Sequence, residues 1–408
     1  MRNLFDQYTQ PENRLSHALA VCLDEDRGLL GDFINWIGPT RTIKADSLHV
    51  IEQSLPGEVS SSEQEAERRG LPDIIIHDDD SWCVLIESKI NAPLTDDQLN
   101  RHRRTLERRG FNDITILALT KANARAAKGI RRATWSDVYK WLGNNVPTSA
   151  WGRRLREYLR IAEVRLAQEG YLTEGTLTMF DGFRFAEGEA TFGEAKRLLK
   201  LAMGELRQHQ VLIDMGIDPK AKGRGAIKTS AQPIVWDLLP LKSKHRDFTK
   251  FPHLTLDVTD THACPAIVVP NGAERGVKKR LSGLTVDSLC EINKKILTNG
   301  KSLIEKGVTF HAYVLQRHFL QRRYVNRDGN VRFRLETSQP GGGRNVKYQP
   351  EWCELLVGLA RHRRSNLQFA IQAELNYEIP EMQTSKAVDL IAKSWYAMRP
   401  FLNCIQYE

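Results

Sequence analysis

Two apolar runs separated by a short polar turn form the most regular hydrophobic pattern in the chain. The first run covers residues 71–77, the second covers residues 82–89, and the turn lies at 78–81. Both runs are rich in isoleucine, valine and leucine, which is typical of strands. Since apolar residues occupy both odd and even positions, the pattern predicts a β-hairpin that is buried on both faces.

Apolar residues at helical spacing predict helices on both sides of this hairpin. Leu15, Leu19 and Leu23 follow Pro11, which predicts an amphipathic first helix. After the hairpin, Thr95 and Gln98 have the spacing of a capping box, in which each side chain binds the other residue's backbone N–H. The other elements predicted in this half are helices at 29–37, 95–109, 135–142 and 153–167, an edge strand at 49–51 and a buried strand at 114–119.

The second half has a less regular pattern, which favours an α+β domain. We place the boundary near residue 180, which gives domains 1–180 and 181–408. A basic loop at 220–225 lacks the glycine before lysine that a P-loop requires, so no NTPase is predicted. The elements predicted here are helices at 193–210, 286–305, 350–363 and 385–400, and strands at 232–238, 253–259, 264–269, 308–316, 330–336 and 366–377.

Charge is distributed unequally between the two halves. Residues 1–180 carry 24 basic and 26 acidic side chains, a net charge of −2, whereas residues 181–408 carry 35 and 24, a net charge of +11. Because basic surfaces attract polyanions, the second half is expected to bind nucleic acid. The residues predicted to contact phosphate are Arg317, Arg322, Arg323, Arg332, Arg334 and Arg344.

The cysteines and the apolar runs restrict where the protein acts. None of the six cysteines forms a Cys-x-x-Cys pair or lies beside a histidine at zinc-finger spacing. The spacing therefore predicts neither a disulfide framework nor a zinc site, and it favours the reducing cytoplasm. The first ten residues lack an apolar leader segment, and no apolar run approaches the ~20 residues that span a bilayer. We expect a cytoplasmic protein with no membrane partner.

The predicted hairpin carries the residues with candidate chemistry. Glu87 and Lys89 are two positions apart on one strand, so their side chains face the same way. If the turn holds three residues, 79–81, Asp73 lies directly opposite Glu87. Two carboxylates across a ladder repel by roughly 0.2–1 kcal/mol, and a bound Mg²⁺ would convert that repulsion into coordination. Acidic ligands beside a positive charge are what metal-dependent phosphodiester hydrolysis needs.

With Pro72-Asp73 followed by Glu87-Ser88-Lys89 after a strand-sized gap, the sequence resembles the PD-(D/E)XK nuclease superfamily. The resemblance covers residues 10–120, where the order of predicted helices and strands is that of the superfamily core. It implies an α/β fold with a restriction-endonuclease-like mixed sheet flanked by helices. It also implies that Asp73, Glu87 and the backbone carbonyl of Ser88 bind the metal, while Lys89 positions the water or steadies the phosphate.

Two more residues resemble accessory positions of the superfamily. Glu12, on the first predicted helix, is similar to a glutamate that completes the metal site in many members. The alternative is that its charge only stabilises the positive end of its helix. Gln98 fits a glutamine that is followed four residues later by tyrosine, but His102 stands at the tyrosine position. For Gln98, the capping role is the alternative.

These features together predict a Mg²⁺-dependent nuclease, with Mn²⁺ able to substitute, that hydrolyses DNA in defence against foreign DNA. Domain 1–180 is expected to cleave, and domain 181–408 is expected to bind nucleic acid or to recognise a trigger. Two alternatives stay open: a non-enzymatic DNA-binding protein with a degenerate nuclease fold, and an RNA-directed nuclease. The sequence is also compatible with a homo-oligomer or with a partner protein from a defence system.

Overall fold

The computed structural model divides the chain into two compact units, Met1–Met179 and Phe180–Glu408. Among the described residues, no helix is long and apolar enough to cross a membrane. Most of the basic loop at 220–225 lies outside the described residues. The structure describes residues 5, 7–38, 44–58, 64, 69–91, 93–122, 129–145, 148–185, 191–221, 227–229, 234–242, 247–320, 324–341, 346–361 and 366–406.

A mixed β-sheet forms the centre of the first unit. Its strands are β1 (His49–Glu52), β2 (Ile74–His77), β3 (Trp82–Lys89), β4 (Asp113–Thr120) and β5 (Arg131–Thr134). They lie in the order β1-β2-β3-β4-β5, with antiparallel pairing from β1 to β3 and parallel pairing from β3 to β5. The predicted mixed sheet, hairpin and edge strand β1 are confirmed. The sequence did not predict β5, because this short strand of two arginines, an alanine and a threonine has no apolar alternation.

Helices cover both faces of this sheet. They are α1 (Pro11–Glu25), α2 (Arg27–Ile37), α3 (Asp96–Arg108), α4 (Trp135–Asn145) and α5 (Ala150–Gln168). One core holds Ile74 and Ile86 of the hairpin together with apolar residues of α1, α2, α4 and α5. A smaller core on the opposite face holds Ile75 and Leu85 with Leu99 of α3. The prediction of a hairpin buried on both faces is therefore confirmed.

Local signals set the ends of these helices. Pro11 occupies the first turn of α1, where its missing N–H costs no hydrogen bond. The Asp26 side chain accepts the Leu29 N–H at 2.9 Å and so begins α2. Helix α2 ends at Gly38, whose φ of 66° suits a residue without Cβ.

A second sheet, antiparallel throughout the described residues, forms the centre of the second unit. Its strands are β6 (Ile227–Thr229), β7 (Ile234–Pro240), β8 (His253–Val258), β9 (His262–Val269), β10 (Thr309–Leu320), β11 (Tyr324–Arg334) and β12 (Leu367–Asn376). They lie in the order β11-β10-β12-β9-β8-β7-β6. Pairing of β12 between β9 and β10 brings together strands that are far apart in the sequence.

The helices of the second unit pack with one face of its sheet in a single large core. They are α6 (Phe192–Gln208), α7 (Gln210–Asp214), α8 (Arg275–Ser282), α9 (Val286–Asn299), α10 (Lys301–Ile304), α11 (Glu351–Ala360), α12 (Ala387–Ala397) and α13 (Arg399–Ile405). On β12, Phe369 and Ile371 point into this core, whereas the alternate positions hold Gln368 and Gln372. The predicted α+β class is confirmed, and the opposite sheet face carries polar groups.

We expect Glu163→Ala to destabilise the first unit strongly. The fully buried Glu163 carboxylate on α5 accepts backbone N–H bonds from Gly175, Leu177 and Thr178 at 2.9–3.1 Å. Removing the acceptor leaves buried donors unsatisfied, which costs about 1–3 kcal/mol for each group. Denaturant unfolding of Glu163→Ala should therefore show a loss of several kcal/mol. Glu163→Gln, which keeps one acceptor oxygen, is the matched control, and equal stability of the two variants would contradict this account.

Candidate active site

The hairpin turn between β2 and β3 sets the register of the candidate site. Asp78 accepts backbone N–H bonds from Asp80, Ser81 and Trp82 at 3.0–3.1 Å, and its own N–H donates to the Trp82 carbonyl. The turn therefore holds residues 79–81, which is the condition under which the sequence places Asp73 opposite Glu87. Ile74 pairs with Ile86, so the next step of the ladder places Asp73 opposite Glu87.

Asp73 is held against β3 by a hydrogen bond. Its Oδ2 accepts the Ser88 N–H at 2.6 Å. Only 7% of Asp73 and 1% of Glu87 are exposed. The two carboxylates are thus buried at neighbouring positions of one ladder.

The Glu87 carboxylate is the centre of a cluster that also contains Asp73, Lys89 and Gln98. Its Oε1 accepts from Lys89 Nζ at 2.7 Å and from Gln98 Nε2 at 2.6 Å. Its Oε2 is buried and has no hydrogen-bond partner among the described residues, and His102 Nε2 lies 3.6 Å from it. A buried carboxylate oxygen without a partner is costly unless a ligand completes it.

Burial raises the pKa values of both acids, and repulsion adds to the shift of Asp73. Burial raises the pKa of Asp73 well above its usual value, and the Glu87 charge raises it further. Burial also raises the pKa of Glu87, although the charge and hydrogen bond of Lys89 offset part of this shift. A cation between the carboxylates would offset the repulsion that adds to the Asp73 shift.

Lys89 is positioned as the positive group of the site. Burial alone would lower its pKa, but the charges of Glu87 and Asp73 and the hydrogen bond to Glu87 outweigh burial and raise the pKa. The ammonium group is therefore charged at neutral pH. About 17% of the side chain is exposed, so the group remains accessible from the solvent side.

Glu12 reaches the same edge of the sheet from α1. Its Oε1 accepts the backbone N–H groups of Ile90 and Asn91 at 3.2 and 2.9 Å, immediately after β3. The Glu12 charge also raises the pKa of both Asp73 and Lys89. The Glu12 carboxylate thus lies next to the cluster and accepts hydrogen bonds from the backbone just after β3. Glu12 also lies in the first turn of α1.

The interaction of Gln98 differs from the predicted reciprocal capping box. Thr95 Oγ1 accepts the Gln98 N–H at 3.3 Å, so half of the box is present. The Gln98 amide, however, donates to Glu87 instead of returning to the Thr95 backbone. The buried carboxylate offers a stronger, charge-assisted hydrogen bond than a solvated helix end. Gln98 is therefore a partner of the cluster.

His102 is a member of the cluster that sequence reasoning treated only as a departure from a pattern. It lies one turn after Gln98 on α3, and its Nε2 is buried without a hydrogen-bond partner among the described residues. Burial, together with the charges of Arg101 and Lys89, lowers its pKa to about 4. His102 is therefore neutral at physiological pH. Its spacing of four from Gln98 was the available signal, since both residues lie on one helix face.

Ser88 is fixed between the two acids. Its side chain is fully buried, and Oγ accepts from Trp135 Nε1 at 3.2 Å. Its N–H is already committed to Asp73. These two bonds immobilise the peptide whose carbonyl the superfamily resemblance assigns to the metal.

Of the six arginines predicted to contact phosphate, Arg332 and Arg334 have described side chains, and both lie in the second unit. Arg322, Arg323 and Arg344 lie outside the described residues, as does the side chain of Arg317 on β10. On the second unit, Arg332 forms an ion pair with Glu374, and Arg334 forms one with Glu336 at 2.9 Å.

A basic cleft in the first unit was not predicted. It has a volume of about 560 Å³ and is lined by Arg131 and Arg132 of β5, Lys140 of α4 and the stacked rings of Trp36 and Trp141. Sequence reasoning missed it because β5 was missed.

One contact links this cleft to the helix that carries Gln98. Arg132 contacts Asp96 at 3.5 Å, and Asp96 is the first residue of α3. Gln98 lies two residues further along the same helix and binds Glu87. The cleft and the acidic cluster thus share α3 as a common element.

Comparison with known families assigns this part of the chain. Residues 2–160 match the family model described as PD-(D/E)XK nuclease superfamily. Neither the curated proteins nor the solved structures gave a match. The matched segment contains α1 with Glu12, the hairpin with Asp73, Glu87 and Lys89, and α3 with Gln98. The match of residues 2–160 agrees with the superfamily resemblance that the sequence predicted.

Proposed function

We propose that the chain is a Mg²⁺-dependent nuclease that hydrolyses DNA phosphodiester bonds, with Asp73, Glu87 and Lys89 at the reaction centre. One observation carries this proposal: two buried carboxylates and a charged ammonium group meet at one end of the β2–β3 ladder. Buried charged side chains that have no functional role are uncommon, because removing each charge from water costs free energy. The match of residues 2–160 to a nuclease superfamily model supports the same activity.

The donor set fits a hard divalent cation. Mg²⁺ prefers oxygen ligands, and this edge offers the carboxylates of Asp73, Glu87 and Glu12 and the backbone carbonyl of Ser88. In their ionised forms, Asp73, Glu87 and Glu12 contribute a charge of −3 and Lys89 a charge of +1, which leaves −2 for a divalent ion to balance. The unpartnered Oε2 of Glu87 is an oxygen that such an ion would satisfy.

Each residue has a separate part in the proposed reaction. A bound Mg²⁺ would polarise the scissile phosphate and make nearby water more acidic. Lys89 places its positive charge where the phosphate gains negative charge in the transition state, and its ammonium group orients the attacking water. Gln98 fixes the rotamer of Glu87 through its 2.6 Å hydrogen bond, and Ser88 holds Asp73 in place. Glu12 completes the acidic edge.

The basic cleft supports a nucleic-acid substrate. Arg131, Arg132 and Lys140 supply positive charge for the phosphate backbone, and the Trp36 ring offers a flat apolar surface. We propose that DNA lies along this cleft and enters the cluster past α3. The net charge of +11 on residues 181–408 supports a second nucleic-acid contact on the other unit.

We further propose that this activity serves defence against foreign DNA in the cytoplasm. A nuclease domain joined to a basic reader domain suits an enzyme that must be directed to its target. Bacterial cells expressing the wild-type chain should restrict infecting phage or incoming plasmid DNA, whereas cells expressing Lys89→Ala should not. Equal restriction by the two strains would show that the nuclease activity does not serve defence.

We expect Lys89→Ala to lower DNA cleavage by about 10²- to 10³-fold, the usual cost of losing one group that stabilises transition-state charge. The measurement is Mg²⁺-dependent nicking of supercoiled plasmid. Lys44→Ala, which removes an exposed lysine elsewhere on the first unit, is the control and should cleave normally. Equal activity of Lys89→Ala and wild type would exclude Lys89 from the mechanism.

We expect Asp73→Asn to abolish stabilisation by Mg²⁺. An ion that binds only the folded state raises stability by about 2.7 kcal/mol at a hundred times its Kd. Thermal melting of the wild type should therefore shift upward as Mg²⁺ is added, while Asp73→Asn should melt at a constant temperature. The amide can still accept the Ser88 N–H and relieves the repulsion from Glu87, so the metal-free variant should be at least as stable as the wild type. An unchanged Mg²⁺ response in Asp73→Asn would place the ion elsewhere.

We expect Arg131→Ala combined with Lys140→Ala to weaken DNA binding without a change in sequence preference. Each lost phosphate contact should reduce the slope of log Kd against log salt by about 0.9 for duplex DNA. Fluorescence anisotropy across a salt series measures this slope. Arg104→Ala combined with Arg108→Ala removes the same charge from α3 outside the cleft and is the control. Equal slopes for the two double variants would show that the cleft does not hold the backbone.

The nature of the substrate is tested by side-by-side digestion of matched DNA and RNA. Preferential DNA cleavage that Lys89→Ala removes supports the proposal. Preferential RNA cleavage with the same dependence would replace DNA by RNA as substrate. Binding to DNA without cleavage of either polymer would identify a binding protein with a degenerate nuclease fold.

A further inference from the structure

The open face of the second sheet brings an imidazole, a thiol and a carboxylate together. His262 and Cys264 are two residues apart on β9, so both side chains lie on the face opposite the large core. Strand β12 pairs with β9 so that Gln372 faces Ala266 and Leu375 faces Ala263. The same register places Glu374 directly opposite Cys264.

The ligand atoms of this cluster are close enough to share one ion. One atom from each of His262, Cys264 and Glu374 lies within 4.8 Å of the other two. In tetrahedral zinc sites, bonds of about 2.0–2.3 Å place neighbouring ligand atoms roughly 3.3–3.8 Å apart. A movement of about an ångström, within the freedom of side-chain torsions, would close the set around a zinc ion.

The chemistry of the donors favours Zn²⁺ over Mg²⁺. Nitrogen and sulfur ligands select borderline and soft transition metals, whereas Mg²⁺ selects oxygen. The cluster is therefore chemically distinct from the all-oxygen edge of Asp73 and Glu87.

The surrounding charges also suit a divalent cation. Asp257 on β8 pairs with Cys264 from the side opposite Glu374. Arg332 on β11 donates to Glu374 and supplies one positive charge. With the thiol deprotonated, Asp257, Glu374 and Cys264 contribute −3 and Arg332 contributes +1. The net charge of −2 equals what Zn²⁺ neutralises.

A cavity adjoins the cluster and points to a further ligand position. It has a volume of about 340 Å³, and both His262 and Cys264 line it. Thr255 lines the same cavity, only 6% of this residue is exposed, and its Oγ1 has no hydrogen-bond partner among the described residues. A buried hydroxyl without a partner in a cavity wall is satisfied by a water or a polar ligand.

We propose that His262, Cys264 and Glu374 form a Zn²⁺ site on the open face of the second sheet, with an exchangeable fourth position toward the cavity. Three protein ligands and one open position are typical of zinc sites that bind or activate a small ligand. The spacing of cysteines predicted no zinc site, because zinc fingers are recognised from ligands close in sequence. This site is assembled across two strands that are far apart in the chain.

Metal binding by the full-length chain tests the proposal. After metal removal, the wild type should bind Co²⁺ with a thiolate-to-cobalt charge-transfer band in the near ultraviolet, and Zn²⁺ should displace the Co²⁺. Cys264→Ser should lose the band, while Cys404→Ser, which changes a partly buried cysteine on α13, should keep it. The acidic edge with Asp73 has no thiol ligand, so the band reports on the second unit alone.

Two further variants keep the test valid if Cys264→Ser fails to fold. His262→Ala and Glu374→Gln should each lower Zn²⁺ affinity by more than the 10- to 100-fold that is usual for losing an outer partner of a ligand. Equilibrium dialysis with elemental analysis measures this affinity, and circular dichroism verifies folding. A wild type without the cobalt band, a band that persists in Cys264→Ser, or unchanged Zn²⁺ affinity in both other variants would overturn the proposal.

Discussion

The burial of Asp73 and Glu87 at neighbouring positions of one ladder is the constraint on which the architecture of the first unit depends. An ionised carboxylate removed from water costs several kcal/mol, and two placed side by side also repel each other. The chain cannot relieve this by slipping without loss of the site, because a shift of one residue would send Asp73 to the other face of the sheet, away from Glu87. The Asp78 turn, with its three backbone hydrogen bonds, makes such a slip still more costly.

The surrounding groups compensate for this cost only in part. Lys89 and Gln98 bind one oxygen of Glu87, and the Ser88 N–H binds Asp73. The other oxygen of Glu87 and the neutral ring of His102 remain unpartnered among the described residues. Because Glu87 has hydrogen-bond partners at one carboxylate oxygen and none among the described residues at the other, the site is preorganised to bind a cation. The charges of Glu87 and Asp73 keep Lys89 charged beside the position proposed for the phosphate.

The two sheets differ in which of their faces are buried. The hairpin of the first sheet is apolar on both faces, so charged residues stand out at its end. The second sheet is buried on one face against its helices, and the opposite face of β8, β9 and β12 carries polar and titratable side chains. A face of this kind can gather ligands from several strands, because cross-strand neighbours lie only about 4.5–5.5 Å apart at Cβ. Both units thus place a net negative cluster where adjacent strands meet.

The sequence by itself determined the elements whose signals are local. Two apolar runs around a short polar turn defined the β2–β3 hairpin, and helical spacing defined α1 and α3. The sequence placed Asp73 opposite Glu87 on the condition that the turn held residues 79–81, which the Asp78 hydrogen bonds decided. The tertiary structure alone decided which side chain completes each cluster. The sequence position of Gln98 is compatible with either a capping box or a contact with Glu87. Only the packing of α3 against β3 decides that the side chain binds Glu87. Strand β5 carries no apolar alternation, so its pairing with β4, and the cleft beside it, arise from the assembled sheet. His262, Cys264 and Glu374 meet through the register of β9 with β12. Such a register is fixed by the burial of whole strands, and no short stretch of sequence contains it.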